Sequence, residues 1–405
     1  MKIAAIIAEY NPFHLGHKYQ IDAIRKRLGE DTAIIAIMSG NFTQRGGVAI
    51  ADKSLRARCA LLCGVNLVLE LPFPYSMSSA EFFAQSGVHI LNALGCVDYL
   101  CFGSESGEIE SLTTVAEAML TDEYHNELKS LLNDANTKKM GYPQMCEAAL
   151  NKVIKGGHSD ITFTPNNILA IEYIKALIKS NSDIRPFTIA RQGNDFSSKS
   201  FVDGDIQSAT SIRSAIQNKD ISALEYIPDI TKSIILDSLK SGDFPCDEDK
   251  LSTAVISHFR LNSPNNANDI HDASGGLYNR LKELSFETNN IENLVSSAES
   301  KKFTRARIRR AIFNSFLGVT SSQIKELPMF TQLLATDDKG RAILKAVRNQ
   351  GSISILTKPS DTDALSETAK LQKKLSDSAD SIFQLTKPMP KSGNSALRFT
   401  PFVKK

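Results

Sequence analysis

Asn11-Pro12-Phe13-His14-Leu15-Gly16-His17 stands directly behind the apolar run Ile3–Ala8 and ahead of a stretch whose apolar residues recur at Ile21, Ile24 and Leu28. A short unbroken apolar run followed by apolar residues at helical spacing reads as a buried strand, a tight turn and a helix. A helix that starts at such a turn directs its unbonded N–H groups and the positive end of its dipole at whatever lies beyond. Histidines three apart on its first turn face the same spot. There their N–H groups can hydrogen-bond a phosphate chain and strengthen as charge develops on it. His14 and His17 are therefore candidate catalytic residues that grip a nucleoside triphosphate. A His-x-x-His pair can also be a zinc site or two surface side chains. No Cys, Asp or Glu stands nearby at matching ligand spacing, so no metal is assigned.

Outward from this turn, three more short apolar runs, at 33–38, 65–71 and 97–102, alternate with helical patterns at 18–28, 53–62 and 80–94. Alternation of this kind predicts an α/β fold with a parallel sheet covered on both faces. Ligands bind such sheets beyond the carboxyl ends of the strands. Residues 9–17, 39–45, 70 and 103–105 should then converge. The loop at 38–47, with Ser39, Asn41 and Arg45, carries unusual polar density for a plain turn. Residues 47–54 imitate a phosphate-binding P-loop, but Asp52 occupies the second glycine position and rules that reading out. Gly103 would let backbone approach a ligand, and Glu105 could orient a ribose or serve as a helix N-terminal acid. Further on, Asn167 could read an adenine or ribose, or Asn166 and Asn167 could be helix caps. The segment 185–190 reads as a strand ending at Arg191, a possible phosphate ligand. In Ser208-Ala209-Thr210-Ser211-Ile212-Arg213, Ser208 is a plausible N-cap, and Thr210 and Arg213 would present a hydroxyl and a fixed cation to the same anion.

Beyond about residue 220 helical patterns dominate. Lys301, Lys302, Arg305, Arg307, Arg309 and Arg310 fall within ten residues that contain no acid. They do not form one narrow helical stripe; contact with a phosphate backbone is the preferred reading over a solvated face. Residues 352–356 read as a late strand, and the Ser-, Asp- and Lys-rich tail from Ser360 as mobile. The division expected is 1–220, an ATP-binding catalytic domain, and 221–405, a mainly helical domain. With 405 residues, 42% hydrophobic and 23% charged, the composition is that of an ordinary soluble protein. No apolar run approaches the roughly 18 residues that span a bilayer. The start at Met1-Lys2-Ile3 shows no export leader, and six cysteines in a chain of this length form no disulfide framework. Cys59 and Cys63 read as core residues. A cytoplasmic, membrane-free protein is expected, and the net charge of +2 leaves nucleic-acid binding open.

Taken together, several stretches resemble the bacterial tRNA(Met) cytidine acetate ligase family of the H-x-G-H nucleotidyltransferase superfamily. They are Glu9 through His17, Met38 through Gly46, Glu70-Leu71-Pro72, Phe102-Gly103-Ser104-Glu105, Pro165 through Leu169 and Ser208 through Arg213. Gly276 through Leu281 and Thr304 through Arg310 are similar to the family's helical half. Residues 194–197 and 332–336 depart from its pattern.

The resemblance implies a Rossmann-like parallel sheet followed by a mostly α-helical C-terminal domain. It implies a ligase that uses ATP, with Mg2+ carried on it, to convert acetate to acetyl-adenylate. The acetyl group then passes to the wobble cytidine of elongator tRNA(Met). It further implies ATP contacts along Ile7, Ala8, Glu9, Tyr10, Asn11, Pro12, Phe13, His14, Leu15, Gly16, His17, Lys18, Tyr19 and Gln20, and at Gly103, Asn167 and Arg191. Ser39, Asn41 and Arg45 are the expected acetate end, and the basic cluster the expected tRNA surface. Two alternatives are a nucleotidyltransferase that adenylylates a small phosphorylated metabolite, and a non-catalytic tRNA-binding protein with a regulatory nucleotide site.

Overall fold

The computed structural model describes residues 1–134, 140–154, 163–190, 207–264, 266–398 and 400–404. Alternation of side chains across the pleat decides the layering. In β1 (Ile3–Ala8) and β2 (Ala33–Ser39), Ala5, Ile7, Ile35 and Ile37 enter one apolar layer, while Ala4, Ile6, Ile34 and Met38 enter the other. Strands buried on both faces need no polar face, which is why these runs are continuous.

The remaining strands are β3 (Phe42–Thr43), β4 (Gly47–Val48), β5 (Leu67–Leu71), β6 (Tyr99–Ser104), β7 (Arg185–Ala190), β8 (Phe330–Thr336), β9 (Ser354–Leu356) and β10 (Phe402–Val403). The main sheet runs in the order β10-β8-β5-β2-β1-β6-β7, with β9 on β8, and β3–β4 form a separate hairpin. Strands β5, β2, β1, β6 and β7 are mutually parallel. The helices of this half are α1 (Leu15–Leu28), α2 (Lys53–Leu62), α3 (Ala80–Leu94), α4 (Ile109–Ala118), α5 (Asp122–Asn133), α6 (Tyr142–Val153), α7 (Pro165–Lys179) and α8 (Ala209–Gln217).

A helical body follows: α9 (Asp229–Lys240), α10 (Ser252–Leu261), α11 (Leu277–Ser285), α12 (Ile291–Ala298), α13 (Arg305–Leu317) and α14 (Ser321–Lys325). After β8 come α15 (Asp338–Gln350), α16 (Glu367–Phe383) and α17 (Asn394–Leu397). Phe259, Leu277, Leu281, Ile312 and Phe313 build its core, which also takes in Phe42 and Phe73 from the sheet half.

Two expectations need correction. The sheet does not end before residue 220: β8 pairs antiparallel with β5, and β10 extends it. Residues 330–336, all buried except the half-buried Gln332, complete an otherwise open edge, so the two halves share one sheet. The tail is not a loose end either. Ala369, Ser376, Ala379, Asp380 and Phe383 of α16 are buried, Phe383 and Ala379 in the helical core. Its serines and charges mask an amphipathic helix capped by Ser366, whose hydroxyl accepts the Ala369 N–H.

Candidate active site

The turn after β1 reverses at Tyr10, whose φ of 48° is unusual for a residue other than glycine. The chain then enters α1 with His14 as its N-cap. His14 Nδ1 accepts the Gly16 N–H at 3.0 Å, and His17 Nδ1 accepts the His14 N–H at 3.2 Å. The imidazoles thus do the work of a capping box, with their ring centroids 3.8 Å apart. An Nδ1 that accepts must be unprotonated, so in each neutral ring the proton sits on Nε2 as a donor. The cap itself selects the tautomer that a phosphate oxygen requires.

The strand ends converge on this turn. Asn11 Oδ1 accepts the Ile50 N–H at 2.8 Å, and Glu9 Oε1 accepts the Gln44 N–H at 2.9 Å, binding the motif to the loop after β2. From α8, Arg213 donates to the Asn11 carbonyl at 2.7 Å and to Thr210 Oγ1 at 3.0 Å. Ser208 caps α8 as expected, its Oγ accepting the Ser211 N–H at 3.1 Å. Burial lowers the Arg213 pKa; Glu9 opposes that shift, and the guanidiniums of Arg45 and Arg309 add to it. Burial likewise lowers Arg45, with Glu9 opposing. His14, His17, Thr210, Arg213 and Arg45 therefore belong to one corner of the molecule, although His14 and Arg213 stand 199 positions apart in the chain.

Just beyond β6, the strand beside β1, Glu105 accepts the Thr164 hydroxyl at 2.7 Å and the Asn167 N–H at 3.0 Å, while Asn167 Oδ1 accepts the Glu105 N–H at 3.0 Å. Glu105 is thus an acid at the start of α7, and the buried Asn167 locks that helix to the end of β6, one residue beyond Ser104. Gly103 lies on β6 opposite Ile189 of β7. Arg191 lies outside the described residues.

Buried charges carry structure that their sequence context did not reveal. Arg56, fully buried, donates to the carbonyls of Ala51 (2.9 Å), Glu9 (2.6 Å), Ser39 (3.0 Å) and Gly40 (2.5 Å), and so pins the ends of β1 and β2. Lys53 and Glu70 are buried with Asp380: the ammonium lies 2.8 Å from Glu70 and 2.5 Å from Asp380. Asn41 completes the group, its amide donating to Asp380 at 2.8 Å and accepting the Lys53 N–H at 2.8 Å. Asn41 was expected at the acetate end. Both ends of its amide are held by protein partners, and it shapes the loop. Ser39 Oγ is buried and has no hydrogen-bond partner among the described residues.

The basic cluster also differs from expectation. Arg305 pairs with Glu292 and Glu299, and Arg307 donates to the carbonyls of Asp272 (3.1 Å) and Ser274 (3.0 Å). Arg310 is buried against Asp272 at 2.7 Å. Lys302 donates to the Gly275 carbonyl at 2.8 Å, and Lys301 is exposed. Arg309 does not lie away from the strand-end pocket: its Nε donates to the Gly46 carbonyl at 2.6 Å. Helical spacing turns Arg309 and Arg310 inward, leaving Lys301, Lys302 and Arg305 as the outward cations.

A strand-end corner with H-x-G-H donors and fixed guanidiniums is the layout of a nucleotide-activating enzyme. The HIGH Nucleotidyl Transferase family profile matches residues 1–396. The chain is 40% identical over 382 residues to the tRNA(Met) cytidine acetate ligase of Thermoanaerobacter sp. (strain X514), covering 93% of each protein. It is 35% identical over 375 residues to that of Acetivibrio thermocellus, covering 89% of each. The chain belongs to the tRNA(Met) cytidine acetate ligase family of HIGH nucleotidyl transferases. Its fold is similar to Thermotoga maritima TmcAL in the apo state, with a TM-score of 0.92, 30% identity, and coverage of 100% of this chain and 99% of that one. The same protein bound with alpha-thio ATP matches with a TM-score of 0.89.

Proposed function

We propose that this protein is an ATP-dependent, AMP-forming ligase that acetylates the wobble cytidine of elongator tRNA(Met). In the first step an acetate oxygen attacks the α-phosphorus of ATP, giving acetyl-adenylate and pyrophosphate. In the second, the exocyclic amine of the cytidine attacks the acetyl carbonyl carbon, loses a proton and expels AMP, leaving N4-acetylcytidine. Neither step needs a protein nucleophile. Each needs reactants held in line and developing charge met by fixed donors.

The observation that carries this reading is the paired imidazole cap. His14 and His17 are held as Nε2 donors beside Arg213 and Thr210, at the carboxyl edge of a parallel sheet. These four residues meet the triphosphate, with Mg2+ carried on the ATP and Ile7 to Gln20, Gly103, Asn167 and Arg191 along the nucleotide. Ser39 and Arg45 form the acetate end. Lys301, Lys302 and Arg305 form the outward cations for tRNA phosphates. No helix among the described residues is long and apolar enough to cross a membrane, and we place the enzyme in the cytoplasm with its tRNA. The test is incubation with ATP, labelled acetate and elongator tRNA(Met), followed by nucleoside analysis. Label in N4-acetylcytidine that depends on ATP and needs no acetyl-CoA supports the reading. Modification from acetyl-CoA alone would overturn it.

A further inference from the structure

The β3–β4 hairpin carries Arg45 at its tip, and the helical half holds that hairpin from two sides. Arg309 of α13 donates from Nε to the Gly46 carbonyl at 2.6 Å, and its Nη2 pairs with Glu248. The other oxygen of Glu248 accepts the Val48 N–H at 2.9 Å. The two side chains thus bind each other and the backbone on either side of Gly47, where the turn enters β4. Contact is also close in the backbone: a Cβ added to Gly46 would lie 2.4 Å from the Arg310 nitrogen. A second acid, Glu292, lies 3.7 Å from Arg309 and also pairs with the exposed Arg305.

We propose that Glu248 and Arg309 are positioning residues for the activation step, setting the hairpin so that Arg45 stands in the corner shared by Glu9 and Arg213. The inference rests on the function proposed above. Three guanidiniums, from a hairpin, from α8 and from α13, interact here; Glu9 attracts Arg45 and Arg213, and Glu248 and Glu292 pair with Arg309. Repulsion among them would open the corner unless each were tied elsewhere. Arg213 is tied to Asn11, and Arg309 to Glu248 and Gly46. Arg45 lies beside Glu9, and the backbone that carries it is held by those ties. A lysine at 309 lacks the planar fork needed to bond Gly46 and Glu248 together.

The experiment compares Glu248→Gln, Arg309→Gln, Arg309→Lys and the double variant Glu248→Gln/Arg309→Gln with the wild-type full chain. Acetate-dependent ATP–pyrophosphate exchange is measured across ATP and acetate concentrations. A purely structural loss reduces the number of working molecules and lowers kcat alone. A misplaced Arg45 raises a KM. We expect the KM for acetate or ATP to rise at least about tenfold in each single variant, lysine included. The double variant should be no worse than the poorer single one, because both act through one clamp. Unchanged KM values in folded Arg309→Gln overturn the proposal. If that variant does not fold, Glu248→Gln, which changes one charge at constant shape, decides it. If the wild type shows no acetate-dependent exchange, the functional reading fails. ATP affinity of the same variants then tests the clamp, and unaltered affinity overturns it.

Discussion

At the scale of single residues, the proposed function gives each imidazole of the motif two tasks on opposite ring nitrogens, and substitution can separate them. Nδ1 of His14 caps α1, while Nε2 is assigned to phosphate. Asparagine is a strong N-cap and can keep the first task only. His14→Asn should therefore hold stability within about 1 kcal/mol of wild type, while pyrophosphate exchange falls about 100-fold or more. His17→Ala and Arg213→Ala should lose exchange to a similar extent and still bind tRNA. Thermal unfolding and exchange rates on the same preparations check this. Exchange near the wild-type rate in His14→Asn would leave the capping role alone standing.

The buried charges make a second residue-scale prediction. Burial drives the Glu70 carboxyl up; Lys53 opposes this, Asp380 reinforces it, Lys373 opposes it weakly, and the pKa is pushed up to about 7. The folded chain then retains a proton that the unfolded chain releases near 4.5. Folded stability must fall as pH climbs through that window, because the native state binds more protons. Tm recorded from pH 4.5 to 7.5 should decline more steeply in wild type than in Glu70→Gln; parallel curves would refute the assignment. Lys53→Ala should cost roughly 3–5 kcal/mol, since it leaves two carboxylates buried together.

Among the elements, the hairpin after β2 is tightly constrained by its surroundings. Gly46 has φ +78°, a conformation disfavoured for side-chain-bearing residues, and the adjoining α13 backbone leaves no room for a Cβ. Gly46→Ala should destabilise the protein by about 1–3 kcal/mol and weaken exchange beyond the loss in folded protein. Denaturant midpoints and exchange kinetics together separate the two effects. Gly40 is held as tightly, because a Cβ there would lie 2.5 Å from Glu70 Oε1. These glycines are where loop, strand end and helical half come closest.

Across the whole molecule, Asp380 joins the last long helix to Lys53 and Asn41 beneath the reaction corner, and β8 and β10 complete the sheet edge. Deleting residues 367–405 should therefore lower Tm sharply and abolish exchange. A truncated chain with wild-type stability would show that α16 is dispensable. On the function proposed above, tRNA contact falls to the outward cations. Lys301→Glu with Arg305→Glu should weaken tRNA binding and reduce its salt slope by about one unit per lost contact, with ATP affinity unchanged. An unaltered slope would move the tRNA surface elsewhere.

Local pattern was enough for much of this architecture. Short continuous Ile- and Val-rich runs that alternate with helical patterns read as strands covered on both faces, and the glycine turn with paired histidines was legible between the first strand and the first helix. The Ser208 cap and the strand at 185–190 were legible for the same reason, because caps and periodicity are properties of neighbouring residues. The rest depended on groups distant in sequence. Nothing adjacent to Asp380 reports that Lys53 and Glu70 lie against it, since a buried ion pair is defined by burial, which only packing supplies. The inward turn of Arg309, the antiparallel entry of β8 and the carbonyls that Arg56 gathers are likewise settled where two halves of the chain meet. A charge reads the same in any sequence, and only its neighbours in space decide whether it faces solvent, substrate or another charge.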